Sequence, residues 1–172
     1  FTFHLRPGHK WSDGEPFTAE DFRYYWEDVA NNKNLSPVGP PAVLLVDEEM
    51  PKFEVIDNAT VRYSWTKPNP DFLPRVAGAS PLYMYRPAHY LKKFHARYTD
   101  ENTLNHAAQQ YGQHNWAAMH NKQDNMYKND NVKLPSLQPW INTTEAPSER
   151  FIFQRNPYFH RVDTQGQQLP YI

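Results

Sequence analysis

The sequence predicts an α+β fold, a small and mainly antiparallel sheet with helices packed around it. Three patterns carry that expectation. Phe1, Phe3 and Leu5 alternate with Thr2, His4 and Arg6, the period of a half-buried strand. Phe53-Glu54-Val55-Ile56 and Thr60-Val61-Arg62-Tyr63-Ser64-Trp65 flank Asp57-Asn58-Ala59, the layout of a hairpin. Phe22, Tyr25, Trp26, Val29 and Ala30 share one face at helical spacing.

In chain order, Pro7-Gly8 ends the first strand, and Trp11-Ser12-Asp13-Gly14 reads as a turn with Gly14 free to take positive φ. Thr18 suits a helix N-cap, and Asp21 sits where it meets the positive helix end. Phe17 and Phe22 occupy the two positions of a hydrophobic staple. The spacing predicts a helix over about 18–31. Leu35 to Pro51 is proline-rich and irregular, and its apolar run Ala42–Val46 fits a strand or a helical turn equally. A short helix is expected over Asp71–Ala77. Further helices are expected near 87–95, where Pro87 suits a first turn, and near 100–111 and 115–126. Asn129 to Pro147 reads as polar and extended. Arg150–Arg155 alternates again and is expected to join the sheet formed by 1–6, 53–56 and 60–65. Asp163–Gly166 turns the chain toward Leu169–Ile172.

Composition narrows the function. With 172 residues the chain can bury one domain's core. A net charge of −1 gives no electrostatic footprint for nucleic acid. No apolar run approaches the roughly 18 residues that span a bilayer. Cysteine is absent, which excludes disulfides and thiolate catalysis and fits either an export route or the cytosol. Sixteen prolines against 6 glycines imply long, ordered connections. Phe1 starts inside strand-like sequence with no signal peptide, and Ile172 ends on an apolar residue, so the chain reads as a fragment of a longer protein.

Candidate chemistry is thin. His106, His114 and His120 are close in sequence, but their spacing fits no zinc pattern and there is no HExxH. The carboxylate groups Asp13 with Glu15, Glu20 with Asp21, and Asp47-Glu48-Glu49 each have a local account: a turn, a helix start and a solvated run. No GxSxG, P-loop or GxGxxG occurs. No catalytic residue, metal or cofactor is expected. Trp11, Tyr24, Trp65, Tyr83, Tyr85, Trp116 and Trp140 could stack on a ligand or simply fill the core.

Two segments carry a resemblance. Phe1-Thr2-Phe3-His4-Leu5-Arg6, Trp11-Ser12-Asp13-Gly14 and Pro16-Phe17-Thr18-Ala19-Glu20-Asp21-Phe22 with Trp26 form the first; Phe151–Arg155 followed by Asn156-Pro157-Tyr158 forms the second. They resemble the signatures of the family 5 extracellular solute-binding proteins, the oligopeptide- and dipeptide-binding subunits of ABC importers. Val162-Asp163 to Gly166 and Leu169-Pro170-Tyr171-Ile172 look like one subgroup of that family. The usual Gly-Thr-Gly-Pro-Tyr stretch is replaced by Leu134-Pro135-Ser136-Leu137-Gln138-Pro139-Trp140, which leaves the ligand class open.

The resemblance implies part of a bilobed, class II periplasmic-binding-protein-like fold. It places an accessory domain over about 1–147 and an adjoining strand of the N-terminal lobe over about 148–172. It implies capture of a peptide or similar oligomeric solute by lobe closure, with no bond broken, in the periplasm or outside the cell. The membrane subunits of an ABC importer would be the partners. The loop after the aromatic helix reaches toward the cleft in such proteins, so Pro37, Val38, Gly39 and Pro40 are the candidate ligand contacts, with an ordinary stiff connection as the alternative. A fragment of this kind is expected to expose apolar surface, to self-associate through exposed edges, and to bury or leave loose its Leu169–Ile172 tail. The rival readings are a carbohydrate-active or metal-dependent hydrolase, with converging carboxylates or a metal on the histidines, and a stand-alone carbohydrate-binding module with a flat row of aromatics.

Overall fold

Alternation at the start of the chain becomes strand β1, Thr2–His4. A computed structural model describes residues 1–78, 82–128 and 130–171. Within them the chain divides into two units, Phe1–Pro7 with Thr18–Arg86 and Gly8–Phe17 with Pro87–Ile172.

The first unit is built on the expected hairpin. β2, Lys52–Asp57, and β3, Thr60–Ser64, pair antiparallel, with Phe53 opposite Tyr63 and a bulge between Val55 and Asp57. The Asp57 carboxylate accepts the Ala59 amide at 2.7 Å and fixes the turn. β1 adds on the other edge of β3, Phe3 opposite Val61, giving the order β1-β3-β2. Helix α1, Ala19–Arg23, starts at a capping box in which Thr18 accepts the Glu20 amide and Asp21 accepts the Thr18 amide at 2.9 Å. The helix then widens over Tyr24–Ala30, where the Asn31 amide reaches back five residues to the Trp26 carbonyl. The Ala19 amide donates to Asn58 in the hairpin turn. Val61, Tyr63, Phe72, Tyr24 and Leu44 form the buried centre, with Phe3, Phe53 and Trp26 ringed about Tyr63. Ala42–Leu44 resolves as one 3₁₀ turn, and α2 is Phe72–Val76.

The second unit carries α3, Ala88–Leu91 (extended by a 3₁₀ turn to Phe94), α4, Glu101–Gln110, and α5, Trp116–Gln123. Asp100 and Asn115 cap α4 and α5 through the Thr103 and Ala118 amides. Leu91, Leu104, Ala108, Trp116 and Met119 are buried between these helices. The last strand departs from expectation. β5, Phe153–Arg155, does not join the three-stranded sheet; it pairs antiparallel with β4, Trp140–Asn142, in a sheet of two. The two strands are joined by the short connection Thr143–Ile152, whose ends bond at 2.9 Å, so this pairing closes at little entropic cost. Leu169 is also less isolated than expected: its amide donates to Arg161, and the Tyr171 hydroxyl donates to Asp163. Ile172, the end of that tail, lies outside the described residues.

Candidate functional site

The loop that follows the wide helical turns is held at both ends. Leu35 is buried at one side, and its amide and that of Ser36 bond the Asn32 carbonyl at 3.1 and 2.7 Å. At the other side Leu44 is fully buried, its amide bonds the Pro41 carbonyl, and its carbonyl accepts the Trp65 indole at 2.8 Å. Between these anchors Ser36–Gly39 forms a tight turn closed by the Gly39 amide on the Ser36 carbonyl at 2.9 Å. Pro37 stands at the second turn position, where its fixed φ is an asset, and Gly39 takes φ +80°. A Cβ on Gly39 would meet nothing within 4 Å, so the glycine is required by its backbone angle, with open space beside it. Val38 is at the tip and 97% exposed, while Gly39 and Pro40 are half-buried. The four candidate residues therefore form one rigid projection with an apolar point.

The other candidates disperse. His120 is buried, His106 and His114 are exposed, and among the described residues no group of three His, Cys, Asp or Glu could hold a metal. Asp13 accepts the Glu15 amide and sits 2.9 Å from His89 Nε2. Glu20 pairs with Arg23, which also reaches Glu27 and the buried Asp28. Asp47 pairs with Lys67, and Glu49 accepts from Thr66. Asp13 and Asp21 thus take the turn and helix-start roles that the sequence suggested, whereas Asp47 and Glu49 are engaged by Lys67 and Thr66 rather than simply solvated. Trp11, Tyr24 and Trp116 are core residues, and Trp65, Tyr83 and Tyr85 are half-buried; Trp140 alone of the seven aromatic candidates is exposed. No described helix is long and apolar enough to cross a membrane.

Comparison with known proteins fixes the lineage. The profile of "Bacterial extracellular solute-binding proteins, family 5 Middle" matches residues 1–172. The chain belongs to this family. It is 30% identical to the periplasmic alpha-galactoside-binding protein of Rhizobium meliloti over 99% of the chain and 22% of that protein. An oligopeptide-binding protein OppA structure superposes with a TM-score of 0.86 at 35% identity, over 99% of this chain and 26% of that one. The periplasmic binding protein MelB of Agrobacterium fabrum C58, solved with stachyose, gives 0.72 at 28% identity, over 98% and 23%. The chain thus spans about a quarter of the length of these relatives.

In this family 5 chain the residues of both signatures are structural. Thr18 and Asp21 make the capping box. Gly14 holds φ +92°, and Tyr158 Oη lies 3.1 Å from where a Cβ would stand, so the turn of the first signature receives the tyrosine of the second. Ser12 reinforces this: its amide donates to the Ser136 carbonyl at 3.0 Å, and its Oγ accepts the Ser136 amide at 3.0 Å. Asn156 is fully buried; its Nδ2 donates to the Gln138 carbonyl and its Oδ1 accepts the Tyr158 amide, both at 2.9 Å. The sequence reading missed the structural role of Asn156, although an Asn-Pro pair beside an aromatic strand is a turn signal that could have raised it.

Proposed function

We propose that this chain is part of a solute-capturing subunit of an ABC importer, working in the periplasm or outside the cell and binding peptides without chemistry. The observation that carries the reading is the family match over the whole chain, together with the OppA superposition at 0.86. Occupied carboxylates and scattered histidines favour binding over catalysis. Ligand capture needs preformed shape and apolar contact. The Ser36–Pro41 loop supplies both: pinned ends limit the entropy lost on contact, and Val38 offers an apolar tip. In this reading Pro37, Val38, Gly39 and Pro40 touch the solute, about 1–147 forms the accessory domain and about 148–172 a strand of the N-terminal lobe. The importer's membrane subunits receive the loaded protein.

A second reading, an oligosaccharide solute, rests on the full-span likeness to the alpha-galactoside-binding protein and to the stachyose complex. Calorimetry on a polypeptide extending this chain to the relatives' full span separates the two: a mixed oligopeptide pool binds in the first case, and stachyose in the second. Alone, the chain presents Trp140 and Phe153 on its two-stranded sheet and Phe151 and Ile152 in the connection just before β5, all exposed. Self-association through this surface follows, seen as a sedimentation coefficient that rises with concentration; a constant monomer value would retire it.

A further inference from the structure

We infer that the second unit holds a small-molecule site of its own, a cavity that takes a free aromatic amino acid in its zwitterionic form. The site is separate from the solute-contacting loop proposed above and does not depend on that reading. The cavity measures about 420 Å³ and lies entirely among residues of the second unit. That volume falls in the range of about 300–1,000 Å³ usual for small-molecule sites.

The floor is aromatic. Tyr90 and Phe94 are each only 8% exposed and pack edge to face at 5.5 Å. Tyr111 stands edge-on to Phe94 at 6.1 Å and is exposed at the rim. The Lys93 ammonium stands over both the Tyr90 and Phe94 rings, at 4.0 and 5.1 Å, so a flat side chain meets this set through the edge contacts that aromatic pairs favour.

The wall is polar and has one donor to spare. The Tyr90 hydroxyl donates to Gln123 Oε1 at 3.0 Å, and Asn131 Nδ2 donates to the same oxygen at 2.9 Å. Gln123 is itself only 8% exposed, so its amide is fixed in place. Its Nε2 donates to nothing among the described residues while the residue lines the cavity. A fixed amide with its oxygen saturated and its nitrogen uncommitted is a built acceptor-seeking position.

Charge decides the ligand class. Lys93 and Lys133 line the cavity, and so do Asp130 and Glu145. Among the described residues none of the four is in an ion pair. The Lys93 ammonium lies 4.0 Å over the Tyr90 ring. Burial, and then repulsion from Lys133, hold its pKa below the ordinary lysine value. An oxyanion beside both ammonium groups relieves that repulsion and accepts from Gln123. A simple anion would still face the two carboxylates, and a simple cation the two lysines. A ligand bearing a carboxylate and an ammonium on one carbon answers both pairs, and an aromatic side chain answers the floor.

Titration calorimetry of the full chain with L-phenylalanine tests this, with 3-phenylpropionate (no amino group) and phenethylamine (no carboxylate) as probes. L-phenylalanine is expected to bind with Kd on the order of 1 mM or tighter, and each probe at least roughly tenfold more weakly. Lys133→Ala and Glu145→Gln, both at exposed positions, should each weaken L-phenylalanine by about tenfold without unfolding the chain. Ring-proton NMR of Tyr111 should shift on addition of L-phenylalanine. A flat titration to tens of millimolar overturns the proposal. So does equal binding of 3-phenylpropionate, which would mark a simple anion site, or an unchanged Kd in both variants.

Discussion

Replacing Asn156 with alanine removes a fully buried amide from the corner where the second signature meets β4. Two good bonds go with it, to the Gln138 carbonyl and from the Tyr158 amide, and a longer one to the Ser136 carbonyl at 3.5 Å. Each good bond contributes about 1 kcal/mol net, and a buried partner left unsatisfied costs about 1–3 kcal/mol. The expected loss is about 2–4 kcal/mol, a fall in Tm of roughly 4–16 °C for a chain of this length. Scanning calorimetry reads it directly. Asn156→Asp is the informative companion. Its carboxylate can still accept the Tyr158 amide but turns lone pairs toward the Gln138 carbonyl, so at neutral pH it should destabilise at least as much as alanine. A carboxyl in that place has a raised folded-state pKa. The deficit is therefore full above that pKa and shrinks as pH falls, because the protonated acid can donate to Gln138. An Asn156→Ala protein within about 0.5 kcal/mol of the parent would refute the reasoning.

Three further outcomes are expected. Asp100 caps α4 with its carboxylate, and the bonds from Thr103, backbone first, hold its pKa below the ordinary 3.8. That contribution is present above about pH 4 and is lost as pH falls through the lowered value, so exchange of the Thr103 amide should accelerate in acid, and Asp100→Ala should abolish the acid dependence. Val38→Asp leaves stability within about 0.5 kcal/mol, because Val38 touches solvent almost everywhere, but weakens solute binding by the full-span polypeptide; unchanged affinity would take the loop out of the site. Thr18→Ala breaks the capping box and should cost about 1 kcal/mol, read by urea denaturation.

Much of this structure was legible because local rules and tertiary packing agree. Phe1, Phe3 and Leu5 signalled a strand by period, and Thr18 with Asp21 signalled a helix start by chemistry. The partner of β5 was hidden because β4 is three residues long, too short to show a period and set in a polar stretch. The widening of the helix at Tyr24–Ala30 left no mark in the spacing of its apolar face. The turn at Ser36–Gly39 was readable from Pro37 and Gly39, whereas the near-complete exposure of Val38 left no mark in the sequence. The cavity was invisible for another reason: Tyr90, Gln123 and Asn131 meet only once α3 and α5 are packed.

The central claim is capture without chemistry, and one measurement addresses it most directly. The full-span polypeptide carrying this chain is incubated with an oligopeptide pool and with stachyose, titrated by calorimetry, then denatured, and the released solute weighed by mass spectrometry. Reversible, saturable binding with the solute recovered intact is the predicted result. Recovery of cleaved solute, or no binding of either class, would contradict it.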